Sequence, residues 1–220
     1  SGLRARGYTP EAIRSFIEKV GVSKSKSEVD YAFLEYCVRE DLKLKYPRVM
    51  AAIEPIKVII TNYPEDKCEY LEIENNKENE ALGTRKVPFT RELYIDRTDF
   101  MEEPPKKYFR MFKGNNVRLM GAYIVHCDDF KKNENGEIEE VYCTYIEKTK
   151  SGEENADMKV KGVIQWVSAK HGIPVKCNLY DHLFLEKDAA NDENSYEKDG
   201  MLLNRRSLET VFGVVEPYCT

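Results

Sequence analysis

Pro55-Ile56-Lys57-Val58-Ile59-Ile60-Thr61 is where this chain changes its period. Ile56, Val58 and Ile60 alternate with Lys57, Ile59 and Thr61, the two-residue repeat of a strand. Before Pro55 the spacing is helical. Thr9-Pro10-Glu11 reads as a helix start, with Thr9 as cap, Pro10 in the first turn and Glu11 at the positive end of the dipole. Ile13, Phe16, Ile17 and Val20 follow on one face, and Gly21 ends the run. Ser27-Glu28 predicts a second helix, with Val29, Phe33 and Cys37 on its stripe. Pro47 predicts a third, leading into Val49 to Ile53.

After Pro55, β-type runs recur at Tyr70–Ile73, Glu92–Ile95, Tyr108–Phe112, Val117–Cys127, Glu137–Ile146, Val160–Val167 and Val175–Phe184. Lys113-Gly114-Asn115-Asn116 and Asn133-Glu134-Asn135-Gly136 are hairpin signals, since Gly and Asn tolerate left-handed backbone. Short strands joined by such turns predict antiparallel sheets closed into barrels or sandwiches. The expected class is α+β, helices first. Acidic stretches at Glu72–Glu80, Gly152–Asp157 and Glu186–Asp199 read as loops.

The 220 residues suit one or two domains, long enough for a real core. A third of them are charged and the net charge is −5. No apolar run reaches the length of a membrane span, and the first residues lack the apolar segment of a signal peptide. The six cysteines are scattered without a C-x-x-C pair, which predicts reduced thiols in a cytoplasmic protein. Only His126 lies beside a cysteine, so no zinc site is expected. No Gly-rich strand-to-helix phosphate loop is present, and His126, His171 and His182 build no catalytic constellation.

Against this acidic background, Pro104 to Cys127 contains no Asp or Glu. At the chain's overall acid frequency a stretch of that length would hold about four. Its charges are Lys106, Lys107, Arg110, Lys113 and Arg118, interleaved with Tyr108, Phe109 and Phe112. Positive charge attracts phosphate, and flat rings and guanidinium planes stack on unpaired bases, so the stretch predicts RNA contact. The plain alternative is a solvated strand face beside core aromatics.

Seven segments carry a resemblance: Ser1-Gly-Leu-Arg-Ala-Arg-Gly-Tyr-Thr-Pro-Glu-Ala-Ile13, Cys37-Val-Arg-Glu-Asp-Leu42, Pro47-Arg-Val-Met50, Val87-Pro-Phe89, Val117-Arg-Leu119, Val160-Lys-Gly-Val-Ile-Gln-Trp-Val-Ser168 and Leu179-Tyr-Asp-His-Leu-Phe184. In this order they resemble the glutaminyl-tRNA synthetase family of class I, from Ser1 to about Pro217. The resemblance implies a helical subdomain touching the inner side of tRNA at 1–55. It implies a proximal anticodon-binding β-barrel at 56–100 and 185–220, incomplete at its C-terminal end, and a distal barrel at 101–184. Both barrels would have the ribosomal protein L25-like fold. It also implies that the whole enzyme joins glutamine to tRNA(Gln) with ATP and Mg²⁺. By the same resemblance the catalytic domain, which binds glutamine and ATP, would lie outside this stretch, and the protein would be a cytoplasmic monomer without a membrane. This part alone would hold no cofactor and no activity. Glutamyl-tRNA synthetase of archaeal or eukaryotic type, or a β-barrel protein-interaction module, are the other readings. Ser23-Lys-Ser-Lys-Ser27 echoes the class I ATP loop but sits in the wrong place for it.

By the same resemblance, Arg110 recognises the third anticodon base, from a strand on which Tyr108, Arg110 and Phe112 share one face. Arg118, on the matching strand of a hairpin, serves the first base and its phosphate. Met120 stands where related bacterial enzymes have another arginine, and Lys113 is the candidate to compensate. Arg48, opening the third helix with Lys43 one turn before it, contacts the middle base. Its plain alternative is pairing with a nearby acid such as Glu40 or Asp41. Lys107 reaches the anticodon loop as a phosphate attractor, and Asp30 touches the inner elbow. Trp166 and His171 read as packing residues.

Overall fold

The computed structural model describes residues 2–22, 24, 28–185, 195–198 and 201–219. Two compact units emerge: residues 1–48 with 73–85, and residues 49–72 with 86–220.

The first unit carries the helices α1 (Gly2–Ala5), α2 (Pro10–Val20) and α3 (Tyr31–Lys45). Helix α2 starts and stops where its sequence signals lie. The Thr9 hydroxyl accepts the Ala12 N–H, and Gly21, at φ 72°, donates its N–H to the Ile17 carbonyl. Phe16 of α2 meets Phe33 of α3, ring centroids 5.8 Å apart. The apolar stripe of α2 is only partly covered: Ala12 is buried, whereas Ile17 is 57% exposed. Helix α3 begins three residues later than Ser27-Glu28 predicts, because Asp30 caps it by accepting the Ala32 N–H at 2.9 Å. Of Ser23–Ser27 only Lys24 is described, so the resemblance to an ATP loop lies outside the described residues.

No third helix starts at Pro47. Helix α3 ends at Lys45, Tyr46 is extended, and the chain enters strand β1 (Ala51–Ile53). The apolar run after Pro47 finds a strand partner far along the chain, which local sequence cannot announce.

In the second unit β2 (Ile56–Ile60) follows with Ile56, Val58 and Ile60 buried, as the alternation predicts. β3 (Glu69–Glu74) and β4 (Thr84–Phe89) form a two-stranded ribbon. Then come β5 (Glu92–Ile95), β6 (Asn116–Leu119), β7 (Ile124–Lys132), β8 (Ile138–Ile146), β9 (Gly162–Ile164), β10 (Val167–Ser168), β11 (Ile173–Tyr180), β12 (Ser195–Lys198), β13 (Met201–Asn204) and β14 (Leu208–Val215). Seven strands form one sheet in the order β10-β5-β2-β8-β7-β6-β9, and three form another, β1-β14-β11. The larger sheet is mixed rather than antiparallel throughout: β2 pairs β8 and β6 pairs β9 in parallel. Long crossovers permit this where hairpins would not. Strands from 56–100 and from 101–184 share that sheet.

The β7–β8 hairpin turns at Asn133–Gly136, where Gly136 takes φ 81° and donates to the Asn133 carbonyl at 3.0 Å. The expected strand Val117–Cys127 divides into β6 and β7 around a turn at Gly121. Val160–Val167 divides likewise into β9 and β10. Part of the expected loop Glu186–Asp199 is strand β12, paired with β13, and the rest lies outside the described residues.

Aromatic side chains fill the core of this unit. Phe89 contacts Tyr63, Tyr123 and Trp166 with centroids 5.1–5.3 Å apart, all near edge-to-face. Trp166 is fully buried and its indole N–H donates to the Met120 carbonyl at 2.9 Å, which makes it a packing residue. Glu69 accepts the Tyr123 hydroxyl at 2.6 Å and pairs with the Lys150 ammonium. None of the six cysteines is in a disulfide.

Candidate nucleic-acid interface

In the first unit the structure brings Lys43 and Arg48 together through an acid the sequence does not single out. The Glu78 carboxylate takes Lys43 Nζ at 3.0 Å on one oxygen and Arg48 Nη2 at 2.8 Å on the other. Hydrogen bonds from Arg48 and Lys43 hold the Glu78 carboxyl below its ordinary range. Glu40 and Asp41, the nearer acids in sequence, are not the partners of Arg48; Asp41 pairs with Lys45 and Thr9.

Glu78 is placed by the loop 75–79, which docks on the end of α3. The Asn76 amide donates to the carbonyls of Lys43 and Tyr46 at 2.7 and 3.0 Å, and Asn79 donates to that of Leu44 at 2.7 Å. These are carbonyls a helix end leaves without intrahelical partners. Asn76 also accepts the Glu78 N–H at 2.9 Å. The Arg48 backbone is held at both ends. Its N–H donates to the Asn75 carbonyl at 2.7 Å, and its carbonyl accepts from the buried Arg85 at 3.1 Å. Arg48 thus presents a half-exposed guanidinium from a fixed loop, not from a helix start. Asp30, in the same unit, is committed to capping α3.

In the second unit Tyr108–Phe112 is not a strand. Met111 is buried and exchanges hydrogen bonds with Asp99 and Met101, forming one isolated parallel bridge with Phe100. Lys107, exposed, takes φ 74°, which breaks the extended backbone before it could form a ladder. The shared face of Tyr108, Arg110 and Phe112 and the Arg110–Arg118 hairpin therefore do not exist; β6 pairs β7 and β9 instead. Other contacts fix the segment. Tyr108 donates its hydroxyl to the Thr98 carbonyl at 3.0 Å, and the Asn115 amide donates to the Arg110 carbonyl at 2.7 Å. Gly162 lies so close that a Cβ there would sit 1.8 Å from the Phe109 carbonyl oxygen.

Arg110 points its guanidinium at the buried Asp99 carboxylate while its side chain stays 52% exposed. A guanidinium has five N–H donors, so a fork engaged on one edge keeps donors for a ligand. Phe109 is exposed beside it in sequence, and Lys161, unnoticed in the sequence, lies over the Phe109 ring at 5.4 Å. Lys113 pairs with Asp129 at 2.8 Å on the surface. The acid-free stretch is thus partly neutralised by acids from outside it.

Arg118 differs. Between buried Val117 and Leu119, its guanidinium donates to the carbonyls of Thr149 at 2.6 Å, Ala156 at 2.9 Å and Met158 at 3.5 Å. It clamps the loop 149–158. Among the described residues no group of three or more His, Cys, Asp or Glu is arranged to hold a metal ion.

Comparison with known proteins places these residues in a family. Two models described as "tRNA synthetases class I (E and Q), anti-codon binding domain" match residues 46–146 and 163–220, together most of the chain. A glutamine–tRNA ligase of Clostridium perfringens is 50% identical over 217 residues, covering 99% of this chain and 39% of that protein. One of Clostridioides difficile is 51% identical with the same coverage, and one of Bordetella pertussis is 49% identical over 98% of this chain and 36% of that protein. The chain spans about two fifths of the length of these relatives. It belongs to the anticodon-binding domains of the class I tRNA synthetases of the E and Q group.

Proposed function

We propose that this chain is the tRNA-recognition part of a glutaminyl-tRNA synthetase, which as a whole joins glutamine to tRNA(Gln) with ATP and Mg²⁺. The observation that carries this is collinear identity near 50%, over almost the entire chain, to proteins named glutamine–tRNA ligase. The chain contributes binding energy and specificity; glutamine, ATP and Mg²⁺ belong to the rest of the enzyme. Within it we assign base contact to Arg48 and Arg110, whose guanidinium groups are half-exposed on fixed backbone. Phosphate attraction falls to Lys43, Lys107 and Lys113, since an ammonium is a point charge without a planar fork. Arg118 supports the interface by holding the loop 149–158, and Asp30 by starting α3. The division into two barrels, the monomeric state and the cytoplasmic location belong to the same proposal. No helix among the described residues is long and apolar enough to cross a membrane.

The test is electrophoretic shift at low salt with tRNA carrying a CUG anticodon and with transcripts altered at each anticodon base. Discrimination among them is expected, and equal affinity for all would overturn the reading. Charging by the whole enzyme, offered glutamine or glutamate, separates the Q from the E member of the group.

A further inference from the structure

The carboxylate of Glu78 spans two cations with one oxygen on each, at 2.8 and 3.0 Å. A backbone phosphate would use the same geometry, with two unbridged oxygens on one lysine and one arginine. All three side chains are open to solvent, 37–50% exposed. The loop bearing Glu78 is held by Asn76 and Asn79 on the α3 carbonyls, independently of the carboxylate. Arg48 is likewise held through its backbone. The ion pairs are therefore not needed to build the corner, and what they do is occupy it.

We propose that Glu78 is an internal stand-in for an RNA phosphate: in the free protein it fills the Lys43–Arg48 pair, and on binding a phosphate of the anticodon loop takes its place on Lys43 and on the one Arg48 edge that Glu78 held, the other Arg48 donors being left for the base. The inference rests on the RNA-binding reading above and adds a regulating residue to it. A stray phosphate must expel a carboxylate already in place, and gains little. A cognate loop brings base contacts that make up the difference. Glu78 thus lowers affinity for all RNA by a common factor, so that only a loop with further base contacts stays bound.

The test compares the wild-type chain with Glu78→Gln and Arg48→Ala, using an anticodon stem-loop transcript and a polyuridylate strand. Glu78→Gln keeps the side-chain length and the Asn76 hydrogen bond to its backbone. It is expected to raise affinity for both RNAs by about two- to fivefold at low salt, the scale of an exposed ion pair. The gain should be similar for the two RNAs, and it should fade at high salt. Arg48→Ala is expected to weaken stem-loop binding. A residue serving only the fold would lose affinity when changed, so a gain is the signature. Unchanged or weaker binding by Glu78→Gln, with Arg48→Ala weakened, would overturn the stand-in and leave the RNA reading intact. If neither the wild type nor any variant binds the stem-loop, both fall.

Discussion

Arg110 and Arg118 come from one acid-free stretch and carry the same expected role, yet the fold treats them differently. Arg110 meets a carboxylate and stays half-exposed, whereas Arg118 meets three backbone carbonyls and is largely spent. The nature of the partner separates the arginine proposed to read a ligand from the one that serves the fold. A carboxylate satisfies part of a guanidinium fork and can be exchanged for another anion. Carbonyls fixed in a loop cannot leave without the loop.

The largest effect is therefore expected at Arg118. Arg118→Ala removes three charge-assisted hydrogen bonds and should cost about 3 kcal/mol of stability, after allowing for partial exposure. Urea unfolding measures it. Loss of anticodon discrimination with no loss of stability would reverse the comparison. Gly162→Ala is next, at about 1–3 kcal/mol, because its new methyl meets the Phe109 carbonyl and something must move. Its RNA affinity should fall with it, as Phe109 and Arg110 shift. Thermal unfolding and gel shift on one sample test whether the two losses travel together.

Arg110→Ala should cost about 1–3 kcal/mol of binding, concentrated at one anticodon base. A uniform loss across base-substituted stem-loops would reduce Arg110 to a phosphate contact. The change also strips a buried carboxylate of its counter-ion, so Asp99→Asn in the same chain should restore stability without restoring base preference.

The smallest effect lies at Lys150, a second anchor of the loop that Arg118 clamps. Burial raises the Glu69 carboxyl, but its hydrogen bonds from Lys150 and Tyr123 outweigh that and leave it below the ordinary 4.5. With the folded value lower than the unfolded one, Glu69 stabilises the fold above about pH 4.5 and loses that contribution as pH falls through the folded value. Glu69→Gln should flatten the acid limb of a melting-temperature profile. An unchanged limb would show that Arg118 holds the loop without help.

What could be read from sequence was local. Thr9, Pro10 and Gly21 bound α2 because caps act within one turn. Ile56, Val58 and Ile60 announced β2, and Asn133 to Gly136 its hairpin, by the same short reach. Pro47 misled because a helix start and an entry to a strand look alike until the partner, Val215 for Ala51, is known. Tyr108–Phe112 has strand composition, but Met111 is drawn to Phe100 and Lys107 breaks the backbone first. The positive charge of the proposed interface was legible in the sequence. Its wiring was not, since Glu78, Asp99 and Asp129 reach their cations from other segments. An acidic loop gives no sign of which carboxylate will land on an arginine.

Trp166, the single tryptophan, lies sealed among Phe89 and its neighbours with its indole N–H on the Met120 carbonyl. The chain therefore carries one indole in one dry environment, which red-edge excitation selects over its fourteen tyrosines. Its emission should be blue-shifted in the native state and move to longer wavelength only when that sheet opens to water. Indole fluorescence then follows global melting without contamination from the exposed corners at Arg48 and Arg110.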